Sequence, residues 1–79
     1  MKITRKQSAS ILYKVLEDFG GSAMKKDVEV AYAKVLLEFL DFDEMVHNIA
    51  TIGWGIQILQ QENLAQIISR GRYSQWSLL

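Results

Sequence analysis

Apolar positions fall into three blocks with a helical period, followed by two short blocks with a different one. In the first, Ala9, Leu12, Val15, Leu16 and Phe19 recur at spacings of three and four, and Ile11 widens the face. This predicts an amphipathic helix over 4–19. Thr4 suits its N-cap, and Ser8 would serve a later start, because a short hydroxyl side chain accepts from the open N–H groups of the first turn. Gly20-Gly21 stops it, since glycine enters the left-handed position beyond a helix without a Cβ penalty. Ser22-Ala23-Met24 then leaves room only for a turn or a single-bridge strand.

In the second block Val28, Ala31, Tyr32, Val35, Leu36 and Phe39 make one stripe, which predicts a helix over 25–40. The acidic piece 41-DFDEMVHN-48 reads as a connecting loop with room for one helical turn. In the third block, 49–62, Ile52, Ile56 and Leu59 form one stripe and Trp54 and Ile58 a second, so this helix is apolar over much of its circumference. Gly53 and Gly55 lie inside it, where each costs about 1 kcal/mol relative to alanine. Such a cost suggests that another helix or a ligand comes close to the backbone.

Past Asn63, the expected helix end, the period changes to two. Residues 64–68 and 73–78 read as strands, with Tyr73, Gln75 and Ser77 alternating with Ser74, Trp76 and Leu78. Ser69-Arg70-Gly71-Arg72 is the loop between them, its glycine placed where a hairpin wants positive φ. The order helix, short strand, helix, helix, strand, loop, strand predicts an α+β fold. Its type is a winged helix-turn-helix, three helices with a small C-terminal β-hairpin wing, in one domain over 1–79. In that arrangement the third helix enters the major groove and the wing touches the flanking backbone.

Composition narrows the function classes. The chain has 79 residues, nearly half of them apolar, with no proline and no cysteine. That excludes disorder, disulfides and thiolate zinc sites. No apolar run approaches the ~18–20 residues that would span a bilayer, and MKITRKQSAS lacks the apolar core of a signal peptide. A cytoplasmic protein without a membrane partner is expected. Nine basic and nine acidic residues cancel, which argues against indiscriminate nucleic-acid binding but leaves room for a local patch. Basic residues gather at Lys2, Arg5 and Lys6, at Lys25 and Lys26, and at Arg70 and Arg72; acidic ones gather at Glu17 and Asp18 and over 38–44.

The run 52-IGWGIQILQQENLAQIISRGRYSQWSL-78 resembles the N-terminal winged-helix domain associated with Mrr-type restriction endonucleases. The resemblance is carried by Gly53-Trp54, Leu59, Asn63-Leu64, Arg70-Gly71, and Tyr73 with Trp76. The opening 12-LYKVLEDFGGSAMKKDVEVAYAKVL-36 resembles the same domain in outline: a helix, a glycine-rich turn, then a basic residue leading a second helix. The sequence departs from the family where the segment before the third helix is short and acidic, and where Asn63-Leu64 stands for Gly-Leu. The resemblance implies DNA binding without catalysis, in a restriction-modification-related or transcription-regulating role.

Candidate contacts follow from residue chemistry. Arg70 and Arg72 on a hairpin tip would clasp phosphates or reach a minor groove, the alternative being a solvated turn. Lys25 and Lys26 open the second helix, where backbone N–H groups also point outward, and together would hold one phosphate; the alternative is a solvated helix start. Thr51, Gln57, Gln60 and Gln61 would meet base edges, since glutamine bonds adenine in a bidentate manner. The helix carries no basic residue, so a neutral exposed face is the competing reading. Tyr73 beside Arg72 would stack on a base or pack at a core edge. Lys2, Arg5 and Lys6 read as a frayed first turn or as an arm on DNA, and Trp54 and Trp76 as core.

Neither His47 with its carboxylate neighbours nor Asp41 with Asp43 supplies a metal-ligand set. No nucleophile elbow or phosphate-cradling glycine loop is present. A non-enzyme without cofactor or metal is expected. Its partner is double-stranded DNA, bound as a small regulator or a detached specificity domain. The alternative is a winged helix used for protein contact or as a homodimer, favoured by neutral charge, the apolar third helix, and Phe42, Met45 and Leu79 on the surface.

Overall fold

The computed structural model describes residues 2–79, with Arg70 described through its backbone alone. The elements are α1 (Arg5–Asp18), β1 (Ser22–Met24), α2 (Lys25–Leu36), α3 (Phe42–Asn48), a single 3-10 turn (Ile49–Thr51), α4 (Ile52–Gln61), β2 (Ala65–Arg70) and β3 (Tyr73–Leu78). The chain is thus α+β, with four α-helices rather than three among the described residues.

Local chemistry sets the ends. Thr4 caps α1 by accepting the Gln7 N–H at 3.1 Å, while the Gln7 side chain accepts the Thr4 N–H at 2.9 Å. That reciprocal pair satisfies two orphan donors of the first turn. At the far end Gly20 and Gly21 take φ of 81° and 103°. Their N–H groups return to the Glu17 and Leu16 carbonyls at 2.9 and 2.8 Å, which satisfies carbonyls that an abrupt end would orphan. Asn63 closes α4 in the same way at φ 59°, with the Leu64 N–H reaching the Leu59 carbonyl at 2.8 Å.

Two expectations fail between residues 37 and 48. The second helix ends at Leu36, not at residue 40, and the stripe loses its phase: Phe39 turns to solvent and Leu40 is buried in its place. The segment read as a loop is α3. Asp41 accepts the Glu44 N–H at 2.8 Å in a second capping box. After Leu36 the chain tightens into three-residue turns, with the Glu38 and Phe39 N–H groups reaching the Val35 and Leu36 carbonyls at 3.0 and 3.2 Å, and this shifts the phase before Asp41 starts the next helix.

The three strands form an antiparallel sheet in the order β1-β3-β2. Ala23 pairs with Trp76 and Met24 with Gln75; Ala65 pairs with Leu78 and Arg70 with Tyr73. The hairpin turn is tighter than expected, only Gly71 and Arg72, with Gly71 at φ 61°. Glycine first, then a residue outside the positive-φ region, fits a type II′ turn, whose twist suits the flanking strands. Trp76 projects from the central strand into the core with Leu12, Leu16, Val28, Tyr32, Leu36, Ile56 and Leu59.

α1 crosses α4 at close range where Ser8 meets Gly55. A Cβ added to Gly55 would lie 2.6 Å from Ser8 Oγ and 3.0 Å from the Ser8 carbonyl carbon and oxygen, so only glycine admits α1 here. Around this point Ser8 Oγ donates to the Thr51 carbonyl at 2.7 Å, Tyr32 donates to Ser8 Oγ at 2.7 Å, and Tyr32 lies 2.8 Å from Thr51 Oγ1. Thr51 Oγ1 also reaches the Asn48 carbonyl at 2.6 Å. Each hydroxyl has one proton to give. Ser8 gives its proton to the Thr51 carbonyl and Thr51 gives its own to the Asn48 carbonyl, which leaves the one Tyr32 proton to serve the Ser8 and Thr51 hydroxyl oxygens. The network ties α1, α2 and the start of α4 together in a buried polar knot.

Candidate nucleic-acid interface

Because Met24 pairs with Gln75, the first residues of β3 lie beside the first turn of α2. Met24, Lys25, Lys26 and Glu29 from α2 and its approach, and Arg72, Tyr73 and Ser74 from the hairpin, line one concavity of about 330 Å³. Lys25, Lys26, Arg72 and Tyr73 are exposed. Three cations therefore share the hollow with one carboxylate, Glu29, and with the exposed ring of Tyr73, which is not at a core edge. The α2 terminus opens here with no side chain capping it, unlike those of α1 and α3. Its free N–H groups and the two lysines disfavour one another and would both be relieved by an anion. Glu29 follows Lys25 and Lys26 by one turn of α2, whereas Ser74 carried no sequence signal toward this site. Strand register brings Ser74 there.

The other candidates divide. Arg70 ends β2 opposite Tyr73; its side chain lies outside the described residues. Gln57, Gln60 and Gln61 are exposed, with Gly53 and Trp54, on the face of α4 opposite its buried Ile52, Gly55, Ile56 and Leu59. Thr51 sits apart from them. It is half-buried and its hydroxyl and carbonyl are engaged in the interior knot.

Two further readings need correction. The segment before α1 is held in place: Ile3 is buried, and its N–H donates to Asn48 Oδ1 at 2.7 Å. Trp54 is not core but 44% exposed, with the Arg5 guanidinium 3.7 Å from its ring centroid. Lys2, Ile3, Thr4, Arg5, Thr51 and Trp54 line a second hollow of about 360 Å³. Helical period alone could not separate Trp54 from Ile58, because the two lie one turn apart on the same side of the helix.

No family model, curated protein or solved structure matches the chain. Among the described residues no helix is long and apolar enough to cross a membrane, and no group of three or more His, Cys, Asp or Glu could hold a metal ion.

Proposed function

We propose that this chain is a winged-helix module that binds double-stranded DNA, as a small regulator or a detached specificity domain. The order α1-β1-α2-α3-α4-β2-β3 with sheet order β1-β3-β2 supports the winged-helix reading, with α4 as the helix that faces the major groove and the β2–β3 hairpin as the wing. The observation that carries the DNA reading is the meeting of Lys25 and Lys26 with Arg72 and Tyr73 around one hollow. A neutral chain thereby gains a local cationic surface where a helix N-terminus and a hairpin tip converge. Phosphates are held there, and α4 presents Gln57, Gln60 and Gln61 toward the bases.

The test is a salt titration of duplex binding. With about four to six phosphates contacted, log K is expected to fall against log salt with a slope of about −4 to −5. The variant Lys25→Ala/Lys26→Ala/Arg72→Ala should lose about three contacts' worth of that slope, roughly 2.7, on every duplex sequence alike. No binding by the unaltered protein at low salt, or a slope that this variant leaves unchanged, refutes the reading.

A second reading has its own observation. Leu37, Phe39, Phe42 and Val46, from the α2–α3 connection and α3, are all exposed, as a protein contact or a homodimer would require. Met45 does not belong to that surface, since it packs against the core. Light scattering over a concentration series would find a dimer in that case and a strict monomer otherwise.

A further inference from the structure

The outer face of α4 carries two features that the interior does not explain. Gly53 is exposed, and a Cβ built on it would meet nothing within 4 Å. A helical glycine with no packing reason is a standing loss of helix stability. Beside it, exposed Trp54 carries the Arg5 guanidinium. Stacking occupies the flat face of the guanidinium, while its five N–H donors lie in the plane, where they remain available to a bidentate acceptor. Among the described residues no carboxylate pairs with Arg5. The position of Arg5 is fixed from below by the Thr4 capping box and by buried Ile3, and Lys2 lines the same hollow.

We propose that the Arg5–Trp54 hollow is a second phosphate site, which takes a backbone phosphate of the duplex lying along α4, with Gly53 letting the sugar–phosphate chain come against the helix. The proposal rests on the DNA-binding reading above. α4 contains no lysine or arginine of its own, and α1 supplies the missing cation. An arginine already ordered on an indole gives up less freedom when it binds than one extended into solvent.

The experiment measures anisotropy of a short labelled mixed-sequence duplex across a potassium chloride series, with thermal melts of every variant. Arg5→Gln is expected to weaken binding about tenfold and to lower the salt slope by about 0.9, while Arg5→Lys keeps the slope and recovers part of the affinity. Gly53→Ala is expected to raise the melting temperature by several degrees and yet to weaken binding about tenfold. A merely structural residue would not separate those two readouts. If Arg5→Gln and Gly53→Ala bind as the unaltered protein does while Lys25→Ala/Lys26→Ala is weakened, the DNA reading stands and this site is overturned. A lower melting temperature for Gly53→Ala assigns that glycine to the fold and also overturns the site. Failure of the unaltered protein to bind removes both proposals.

Discussion

Gly55 and Gly53 sit two positions apart on α4 and meet opposite conditions. On the inner side, Gly55 touches the Ser8 backbone so closely that any side chain would strike it. On the outer side, Gly53 faces open space next to Trp54 and Gln57. Both positions forgo the same helix propensity, but only the inner one is compensated within the chain. The contrast extends to the rest of the helix. Ile52, Ile56 and Leu59 are buried and the Thr51 groups are bonded, whereas the outer face combines an unexplained glycine, an exposed indole and three neutral amides. One side of α4 is accounted for by folding; the other makes physical sense as a surface that something else completes.

The largest expected effect tests the inner side. Gly55→Ala places a Cβ against backbone that cannot rotate away, so α1 and α4 must separate. A loss at or beyond the upper end of the usual overpacking range, about 3 kcal/mol, is expected. In a domain of this size that lowers the melting temperature by more than 10 °C or so. Ser8→Ala in the same chain removes the nearest atom but not the backbone contacts. The pair should therefore be less damaging than the sum of the two singles. A fully additive double mutant would break the claim that Ser8 and Gly55 meet at one crowded point.

Next in size is the polar knot. Tyr32→Phe removes the one hydroxyl that reaches both Ser8 and Thr51. Ser8 Oγ keeps its donation to the Thr51 carbonyl and Thr51 Oγ1 keeps the Asn48 carbonyl, so each retains a partner, but the ring closes on two buried oxygens it can no longer bond. A loss of about 1–2 kcal/mol in chemical denaturation is expected, with the slope against denaturant unchanged. A neutral result would mean that the phenol oxygen is no better satisfied in the fold than in water.

Much of this architecture was legible beforehand, and the failures share a cause. The Thr4 cap, the glycine stop at residues 20–21, the Asn63 terminus and inward Trp76 all follow from local chemistry and period, and all are present. The Asp41-x-x-Glu44 box is equally local, but the acidic composition around it predicts a loop. Extending the period of α2 past a helix end that contains neither glycine nor proline puts Phe39 in the core, where it is not. What no local signal carried is tertiary: Arg5 reaching Trp54, Gly55 meeting Ser8, and Glu29 joining the hairpin. The juxtaposition of Lys25 and Lys26 with Arg72 depended on strand register, which binary pattern alone does not fix.

The smallest effect on stability is expected where the functional consequence is most specific. Gln57 is exposed on the outer face of α4, and Gln57→Ala should change unfolding free energy by less than about 0.5 kcal/mol, because a surface helix position loses no buried contact. If the outer face meets base edges, the same change lowers affinity for duplexes carrying adenine at the contacted position, by about 1–3 kcal/mol for a bidentate pair. It does so without altering the salt slope, since a neutral side chain releases no counterions. Arg72→Ala should behave in the reverse manner, with a smaller slope and equal weakening on every sequence. Anisotropy on a panel of duplexes at two salt concentrations separates the two patterns. A Gln57 variant that loses slope, or an Arg72 variant that loses only sequence preference, would exchange the roles assigned to the helix and the hairpin.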